Sequence, residues 1–173
     1  GGRVRGAGGE RSLSVRVKTA KGRKLASTRW LQRQLNDPYV EAAKRAGYRS
    51  RAAFKLAEID DKHRLLKPGM IVLDLGAAPG GWSQVAAARA HAGEGKGRVI
   101  AVDLSAIESV PGVEVMVLDM SEPKSGDCIK EALGGALADV VLSDMAASAT
   151  GHRQTDHLRL VALAESALDI AED

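Results

Sequence analysis

The sequence has few of the residues that crosslink a chain or anchor it in a membrane. Its only cysteine, Cys128, excludes an internal disulfide and a multi-cysteine zinc site, and one cysteine in 173 residues fits a reducing compartment. No apolar run approaches the length of a membrane-spanning helix, and the sequence as given shows no secretory signal region. We therefore expect a cytoplasmic protein that does not enter a membrane.

Acidic residues are scarce in the first third of the sequence and abundant afterwards. Residues 1–55 contain 15 Lys and Arg against three acids, a charge of +12, whereas residues 56–173 contain 10 against 19, a charge of −9. A basic segment beside an acidic one indicates one surface for a polyanion and another for a small ligand. A solvated basic tail is the alternative for residues 1–26. It explains residues 29–55 less well, because we predict that they fold.

The composition is typical of one globular domain with a core, since 45% of the residues are hydrophobic and the mean hydropathy is −0.14. Residues 1–26 are rich in Gly, Ser, Arg and Lys without apolar periodicity, which predicts a disordered basic arm. We expect residues 27–173 to form the folded domain. Its first part, 27–66, is predicted to be helical and to face a polyanion, and its second part, 67–173, to be an α/β sheet structure.

The helical part is predicted to contain three helices. Two short ones occupy residues 27–46 and are separated at Asp37-Pro38, because proline cannot continue a helix. A third is predicted to be capped by Ser50 and to continue to about His63. Lys55 lies between two apolar residues of this helix, which favours a semi-buried, oriented ammonium group. The apolar side chains expected in the core are Trp30, Tyr39, Phe54, Leu56 and Ile59.

A glycine-rich loop follows the first predicted strand. Residues 70–75 form a short apolar run that contains Asp74, the pattern of a buried strand. Residues 76–81 then include three glycines and a proline, and an alanine-rich helix is predicted over 82–90. Strand, glycine-rich loop and helix form the first unit of a doubly wound sheet, in which ligands bind at the carboxyl ends of the strands.

The rest of the sequence continues this alternation. Strands are predicted at 98–103, 113–119 and 139–144, and helices at 129–137 and 152–172. Strands that alternate with helices of this length form a parallel sheet with right-handed crossovers. The predicted fold class is therefore α/β, a mostly parallel, doubly wound sheet.

Each of the four predicted strands carries an aspartate at or near its carboxyl end: Asp74, Asp103, Asp119 and Asp144. One such acid alone would be read as a turn or helix-cap residue. Four at one edge of a sheet repel each other, so a ligand or a cation is needed to explain them. By position, the second acid suits two ribose hydroxyls and the third an adenine amino group. The fourth lies where a reaction would occur.

The glycine-rich loop does not match the fingerprint of a pyrophosphate-binding loop. That fingerprint reads G-x-G-x-x-G, whereas residues 76–81 read G-A-A-P-G-G, and Asp74 adds a negative charge. A nicotinamide-dependent oxidoreductase is therefore disfavoured. S-adenosylmethionine fits better because it carries a sulfonium, an ammonium and a ribose but no phosphate. A glycine-rich turn without a ligand is the alternative, and the three further acids make it less favourable.

Six stretches carry a family resemblance: residues 27–31 (STRWL), 37–40 (DPYV), 48–56 (YRSRAAFKL), 66–70 (LKPGM), 74–84 (DLGAAPGGWSQ) and 142–146 (LSDMA). They resemble the FtsJ/RrmJ (RlmE) family of ribosomal RNA 2′-O-ribose methyltransferases. The resemblance implies a Rossmann-like class I methyltransferase fold with S-adenosylmethionine as the cofactor. It also implies a uridine of large-subunit ribosomal RNA, free or in the assembled 50S subunit, as the substrate.

The resemblance also implies roles for single residues. The positions that match the family's cofactor contacts are Gly80, Trp82, Asp103, Asp119 and Asp144. The family's catalytic set is Lys-Asp-Lys-Glu, and Lys55 and Asp144 match its first two members. The sequence ends at Asp173, before the positions of the second lysine, the glutamate and the last strands of the sheet. We therefore expect the 173-residue chain to bind the cofactor but to methylate weakly or not at all.

Basic side chains of the helical part are expected to hold the RNA, and the arm at residues 1–26 is expected to add salt-sensitive phosphate contacts. Tyr48 is a candidate for stacking on a base. The basic side chains belong to Arg29, Arg33, Lys44, Arg45, Arg49 and Arg51. The alternative function is a non-catalytic ribosome-assembly factor, whose RNA affinity would not depend on S-adenosylmethionine. His152 and His157 lie off a common helical face, so no metal site is predicted. We expect a monomer.

Overall fold

The computed structural model describes residues 37–145, and the chain divides into two units, Gly1–Ala42 and Ala43–Asp173. The predicted arm at 1–26 and the predicted closing helix at 152–172 lie outside the described residues. The same holds for the predicted helix that precedes Asp37, and for Arg29, Trp30, Arg33, His152 and His157.

In the first unit, the described residues contain the beginning of helix α1, Pro38–Arg45. The Tyr39 N–H donates a hydrogen bond to the Asp37 carboxylate at 2.9 Å. The predicted start of a helix at Asp37-Pro38 is confirmed, because proline occupies the first helical position, where the missing N–H needs no partner. The prediction that Tyr39 packs in the core is wrong, since the residue is 53% exposed.

The second unit contains a parallel sheet with its connecting helices. The helices are α2, Ala52–His63; α3, Gly81–Ala90; and α4, Ser125–Leu133, and the strands are β1, Ile71–Leu75; β2, Arg98–Asp103; β3, Val113–Val117; and β4, Val140–Ser143. All four described strands are parallel, in the order β3-β2-β1-β4. This confirms the predicted α/β class. No helix within residues 37–145 is long and apolar enough to cross a membrane.

The strand order creates a place for a ligand. From β1 the chain moves outward through β2 to β3 and then returns to the other side of β1 to form β4. The connection after β1 and the connection that leads into β4 therefore run in opposite directions across the sheet, and such a switch point opens a crevice at the carboxyl ends of the central strands.

The sheet is buried on both faces by two apolar clusters. One cluster joins Val72 and Leu142 to apolar residues of α2 and α3, and the other joins Leu73 and its neighbours in β2 to Ile129 and Leu133 of α4. Successive residues of a strand point to opposite faces. Asp74 therefore faces α3, on the same side as Val72.

Two helix boundaries differ from the prediction. Helix α4 begins at Ser125 and ends at Leu133, earlier at both ends than the predicted 129–137. Gly134, with φ of +66°, forms the left-handed cap that ends it. Helix α2 begins at Ala52 and no side chain caps it, so the predicted cap by Ser50 is wrong.

Asp60, rather than the predicted Ile59, faces the interior from α2. Asp60 is 3% exposed, and its carboxylate accepts the Leu66 N–H at 2.7 Å and pairs with Arg89 Nε at 3.4 Å. Ile59 is 37% exposed, whereas the prediction that Leu56 lies in the core is confirmed. The buried carboxylate holds the connection that leads from α2 to β1.

Candidate active site

A cavity of about 450 Å³ opens at the carboxyl ends of the strands. Three of the predicted acids line it: Asp103 at the end of β2, Asp119 beyond β3, and Asp144 after β4. The apolar part of the wall includes Leu104, Leu118, Met120 and Met145. The volume falls within the range of about 300–1,000 Å³ that is typical of small-molecule sites. The prediction that acids converge at this edge is therefore confirmed for these three.

Asp103 is fixed by two backbone N–H groups. Its Oδ2 accepts the Ala78 N–H at 3.0 Å and its Oδ1 accepts the Ser105 N–H at 2.7 Å. A carboxylate offers about four lone-pair positions, so about two remain for donors of a ligand. Because Ala78 belongs to the glycine-rich loop, the same carboxylate also ties that loop to the end of β2.

Asp119 is oriented by one neighbouring serine. Its Oδ1 accepts both the Ser121 hydroxyl at 2.6 Å and the Ser121 N–H at 2.9 Å. These two hydrogen bonds hold the pKa of Asp119 below its usual value, and the bond from the Ser121 hydroxyl has the larger effect. The carboxylate is therefore ionised and fixed at the cavity wall at neutral pH.

Asp74 is the one acid of the four that is withdrawn from the cavity wall. It is 1% exposed within β1, and the Ser83 hydroxyl of α3 donates to its Oδ2 at 2.6 Å. The pKa of Asp74 is raised to about 6, chiefly by burial and also by the charges of Asp103 and Asp144, although the hydrogen bond from Ser83 lowers it. A buried carboxyl group whose pKa is shifted by neighbouring carboxylates is typical of functional sites.

Lys55 and Asp144, which the resemblance assigns to catalysis, lie together. The Lys55 Nζ is 3.0 Å from the Asp144 Oδ1 and 5.3 Å from the centroid of the Trp82 ring. The two side chains are 57% and 45% exposed. The ammonium group is therefore oriented, as expected, but the expectation that it is semi-buried is wrong.

Gly80 and Trp82 lie at the start of α3 and are not among the residues that line the cavity. Trp82 is 9% exposed, and its indole N–H donates to the Ala52 carbonyl oxygen at 2.8 Å. Gly80 has a φ of +105°, and a Cβ atom there would lie 3.2 Å from both Arg49 Nη1 and Ile107 Cγ2. The first N–H groups of a helix have no partner inside it, so this end of α3 can offer donors to an anion.

The guanidinium of Arg49, which the sequence assigned to RNA, is engaged inside the protein. It donates to the carbonyl oxygens of Pro79 at 3.4 Å, of Ser109 at 2.7 Å and of Glu108. The Arg49 N–H donates to the Gln84 side chain at 2.8 Å. One residue thus links the glycine-rich loop, the segment after β2 and helix α3.

Of the other described residues predicted to contact RNA, one is half-buried and three are exposed. Tyr48 packs edge-to-face against Phe54, with ring centroids 5.3 Å apart, and both are half-buried, so Tyr48 contributes to the core rather than offering a free ring. Lys44, Arg45 and Arg51 are exposed. Within residues 37–145, no group of three or more His, Cys, Asp and Glu side chains could hold a metal ion.

Sequence reasoning missed the serines that orient the acids. Ser105 follows Asp103, and Ser121 follows Asp119, with one residue between them in each case. An Asp-x-Ser pattern directly after a strand is typical of a turn in which the aspartate accepts the N–H two residues later, so this signal was present. Ser83 gave no comparable signal, because it meets Asp74 only through the packing of α3 on β1.

Comparison with known families matches residues 48–173 to the FtsJ-like methyltransferase family. The matched range covers most of the chain. It contains all of the residues that line the cavity, together with Lys55 and Trp82.

Individual relatives agree with this match. The ribosomal RNA large subunit methyltransferase E of Parvibaculum lavamentivorans is 60% identical over 175 residues, which cover 97% of this chain and 68% of that protein. The protein of the same name from Nitrobacter winogradskyi is 62% identical over 161 residues, covering 93% and 70%. A crystal structure described as a ribosomal RNA methyltransferase from Plasmodium falciparum has a TM-score of 0.61 and 33% identity, covering 69% of this chain and 68% of that one.

Proposed function

The chain belongs to the FtsJ-like methyltransferase family, and from this premise we propose that it methylates a ribose 2′-hydroxyl of a uridine in large-subunit ribosomal RNA, with S-adenosylmethionine as the donor. The observation that supports this most directly is the cavity in which three carboxylates and a set of apolar side chains meet. The names of the relatives supply the class of RNA.

The donor set of the cavity suits this cofactor. We propose that the remaining lone pairs of Asp103 accept the two ribose hydroxyls, and that Asp119 accepts the adenine amino group. Leu104, Leu118 and Met120 offer apolar surface for the adenine ring. The negative charge of three carboxylates disfavours a phosphate and favours a ligand with cationic groups.

The start of α3 accounts for two further proposed contacts, those of Gly80 and Trp82. Free N–H groups and the helix dipole favour an anion at a helix N-terminus. The carboxylate of the methionine part of the cofactor is such an anion. Contacts through the backbone of α3 would leave the Trp82 indole free to keep its bond to Ala52.

The main task of the protein in this reaction is to align the ribose oxygen with the methyl group. The cofactor, when bound, would supply a methyl group that its sulfonium activates, with the neutral thioether as the leaving group. The proton of the ribose hydroxyl would pass to solvent water. We propose that Lys55 holds the ribose oxygen and that Asp144, 3.0 Å away, orients the lysine and borders the transferred methyl group. Holding the oxygen in line with the methyl carbon replaces a random encounter by a positioned one, which can supply several kcal/mol of the barrier.

Transfer of radiolabelled methyl groups to purified ribosomal RNA tests the proposal. We expect label in large-subunit RNA and in 50S subunits but not in small-subunit RNA. After alkaline hydrolysis the label should appear in a resistant dinucleotide, because a 2′-O-methyl group blocks cleavage. The same assay measures the rate of methyl transfer.

Two lysines of α2 provide a matched pair for this assay. Lys55→Met should lower the rate at least about tenfold through lost positioning, whereas Lys62→Met, an exposed lysine of the same helix, should change it less than about twofold. Label confined to bases or to small-subunit RNA would contradict the proposal. So would a folded chain that neither binds S-adenosylmethionine nor transfers its methyl group.

A further inference from the structure

The Trp82 side chain makes two contacts with helix α2. Its indole N–H donates to the carbonyl oxygen of Ala52 at 2.8 Å, and its ring lies 5.3 Å from the ammonium of Lys55. Ala52 and Lys55 are three residues apart on α2 and therefore share one face of the helix. The indole is thus fixed at its N–H end and offers its ring to the lysine one turn along.

Among residues 37–145, the one charged partner of Lys55 is Asp144. The Lys55 side chain is 57% exposed, and that of Asp144 is 45% exposed. An ion pair between exposed side chains is weak, because water screens it and a long side chain loses freedom in making it. Trp82, in contrast, is 9% exposed and belongs to the core cluster of α2 and α3. A rigid aromatic ring within about 6 Å attracts a cation through the negative face of its π system.

We propose that Trp82 is a positioning residue, whose ring holds the Lys55 ammonium beside Asp144 at the edge of the cavity. The functional part of this inference rests on the proposed methyl transfer. Trp82 would act through Lys55, and its side chain would touch neither the methyl group nor the ribose. The cofactor contact proposed above for Trp82 is made through its backbone, so substitution of the side chain tests the positioning role separately from cofactor binding.

Nuclear magnetic resonance of the 173-residue chain with ¹³C-labelled lysine ε-carbons tests the contact. A proton held above an aromatic ring resonates upfield, so the Lys55 ε-protons should lie upfield of those of exposed lysines. Lys55→Arg assigns the signal. Trp82→Phe should keep part of the displacement, because a ring remains, and Trp82→Leu should abolish it. A Lys55 signal at the position of the exposed lysines in the unsubstituted protein would overturn the inference.

Kinetics with saturating S-adenosylmethionine test the consequence. We expect Trp82→Leu to lower the methylation rate about tenfold and to change the cofactor Kd less than about threefold, with Trp82→Phe restoring most of the rate. In a Lys55→Met background, Trp82→Leu should have almost no further effect, because the interaction is already absent. The positioning role would be overturned if Trp82→Leu lowered the rate by the same factor in the Lys55→Met background as in the unsubstituted protein. It would also be overturned if Trp82→Leu raised the Kd and left the rate at saturation unchanged.

The two arms also separate this inference from the proposed function. An upfield Lys55 signal that depends on Trp82 supports the contact even in a chain that binds no S-adenosylmethionine, and in that case the proposed function fails alone. Methylation that is indifferent to Trp82→Leu, by a protein that is folded in thermal unfolding, would overturn the positioning role while the proposed function stands.

Discussion

At the scale of the residue, four aspartates of one sheet edge have different environments. Asp74 lies inside β1, paired with Ala101 on one side and Leu142 on the other, and is therefore buried. Asp103 is the last residue of β2, and Asp119 and Asp144 follow their strands. The sequence predicted all four positions because a strand ends visibly in its apolar pattern. It could not predict which acid is buried, because that depends on where the neighbouring strands end.

The buried acid makes stability depend on pH. The pKa of Asp74 is about 6 in the folded protein against 3.8 ordinarily, so the folded state binds the proton more tightly than the unfolded state. Stability should then fall as pH rises from about 4 to about 6 and stay level above. The shift corresponds to about 3 kcal/mol at most.

Asp74→Asn removes this dependence. The amide cannot ionise and can still meet the Ser83 hydroxyl. We expect the variant to be more stable than the parent by about 1–3 kcal/mol at pH 8, with the difference shrinking toward pH 4.5. Urea unfolding at pH 4.5, 6 and 8 measures it. A difference that is the same at all three values, or that grows toward low pH, would show that Asp74 is not the titrating group.

At the scale of the element, the strands could be predicted closely and the loops could not. Strands β1, β2 and β4 are mostly apolar runs of the kind that parallel sheets bury on both faces, and their predicted and observed bounds differ by a residue at most. The bonds of Arg49 to the carbonyls of Pro79, Glu108 and Ser109 join segments that are distant in sequence. No local pattern signals such contacts, so a charge in the basic region was assigned to RNA.

The glycine-rich loop depends on Gly76 for two reasons. Its φ is +74°, and a Cβ atom there would clash with the Met145 side chain, which lines the cavity. We expect Gly76→Ala to lower the free energy of unfolding by about 2–4 kcal/mol, because the left-handed backbone and the clash both destabilise the folded state. We also expect it to weaken S-adenosylmethionine binding. Urea unfolding and calorimetry measure the two effects.

Gly95 is the matched control for this substitution. It has nearly the same φ, +73°, but nothing lies within 4 Å of a Cβ atom there. Gly95→Ala should therefore cost only about 1–2 kcal/mol and leave cofactor affinity unchanged. Equal losses of affinity in the two variants would mean that Met145 does not set the shape of the site.

The Arg49 contacts should matter more than its charge. Lysine keeps the charge but cannot donate in the fixed fork of a guanidinium. We expect Arg49→Lys to lower stability by about 1–3 kcal/mol and to speed hydrogen exchange around residues 105–110. Arg45→Lys, at an exposed position of α1, should change stability by less than about 0.5 kcal/mol. Equal, small effects of both substitutions would show that the carbonyl contacts contribute nothing.

At the scale of the whole molecule, the basic segment and the cavity occupy different parts of the sequence. Residues 1–55 carry +12 and the remainder −9, and the cavity lies wholly in the acidic remainder. Composition and strand alternation sufficed to predict an α/β domain with a basic segment. The family resemblance added the cofactor and the substrate. Neither could supply the conformation of Lys55, which depends on the packing of α2 against α3 and on the position of β4.

The central claim is that the cavity binds S-adenosylmethionine, and calorimetric titration of the cofactor tests it most directly. The unsubstituted chain should bind, and Asp103→Ala should raise the Kd at least about tenfold, the value of a lost hydrogen bond to a charged group. Asp127→Ala, an exposed acid of α4, should change the Kd less than about twofold, with thermal unfolding confirming that both variants fold. Failure of the folded, unsubstituted chain to bind, or equal binding by Asp103→Ala, would contradict the claim.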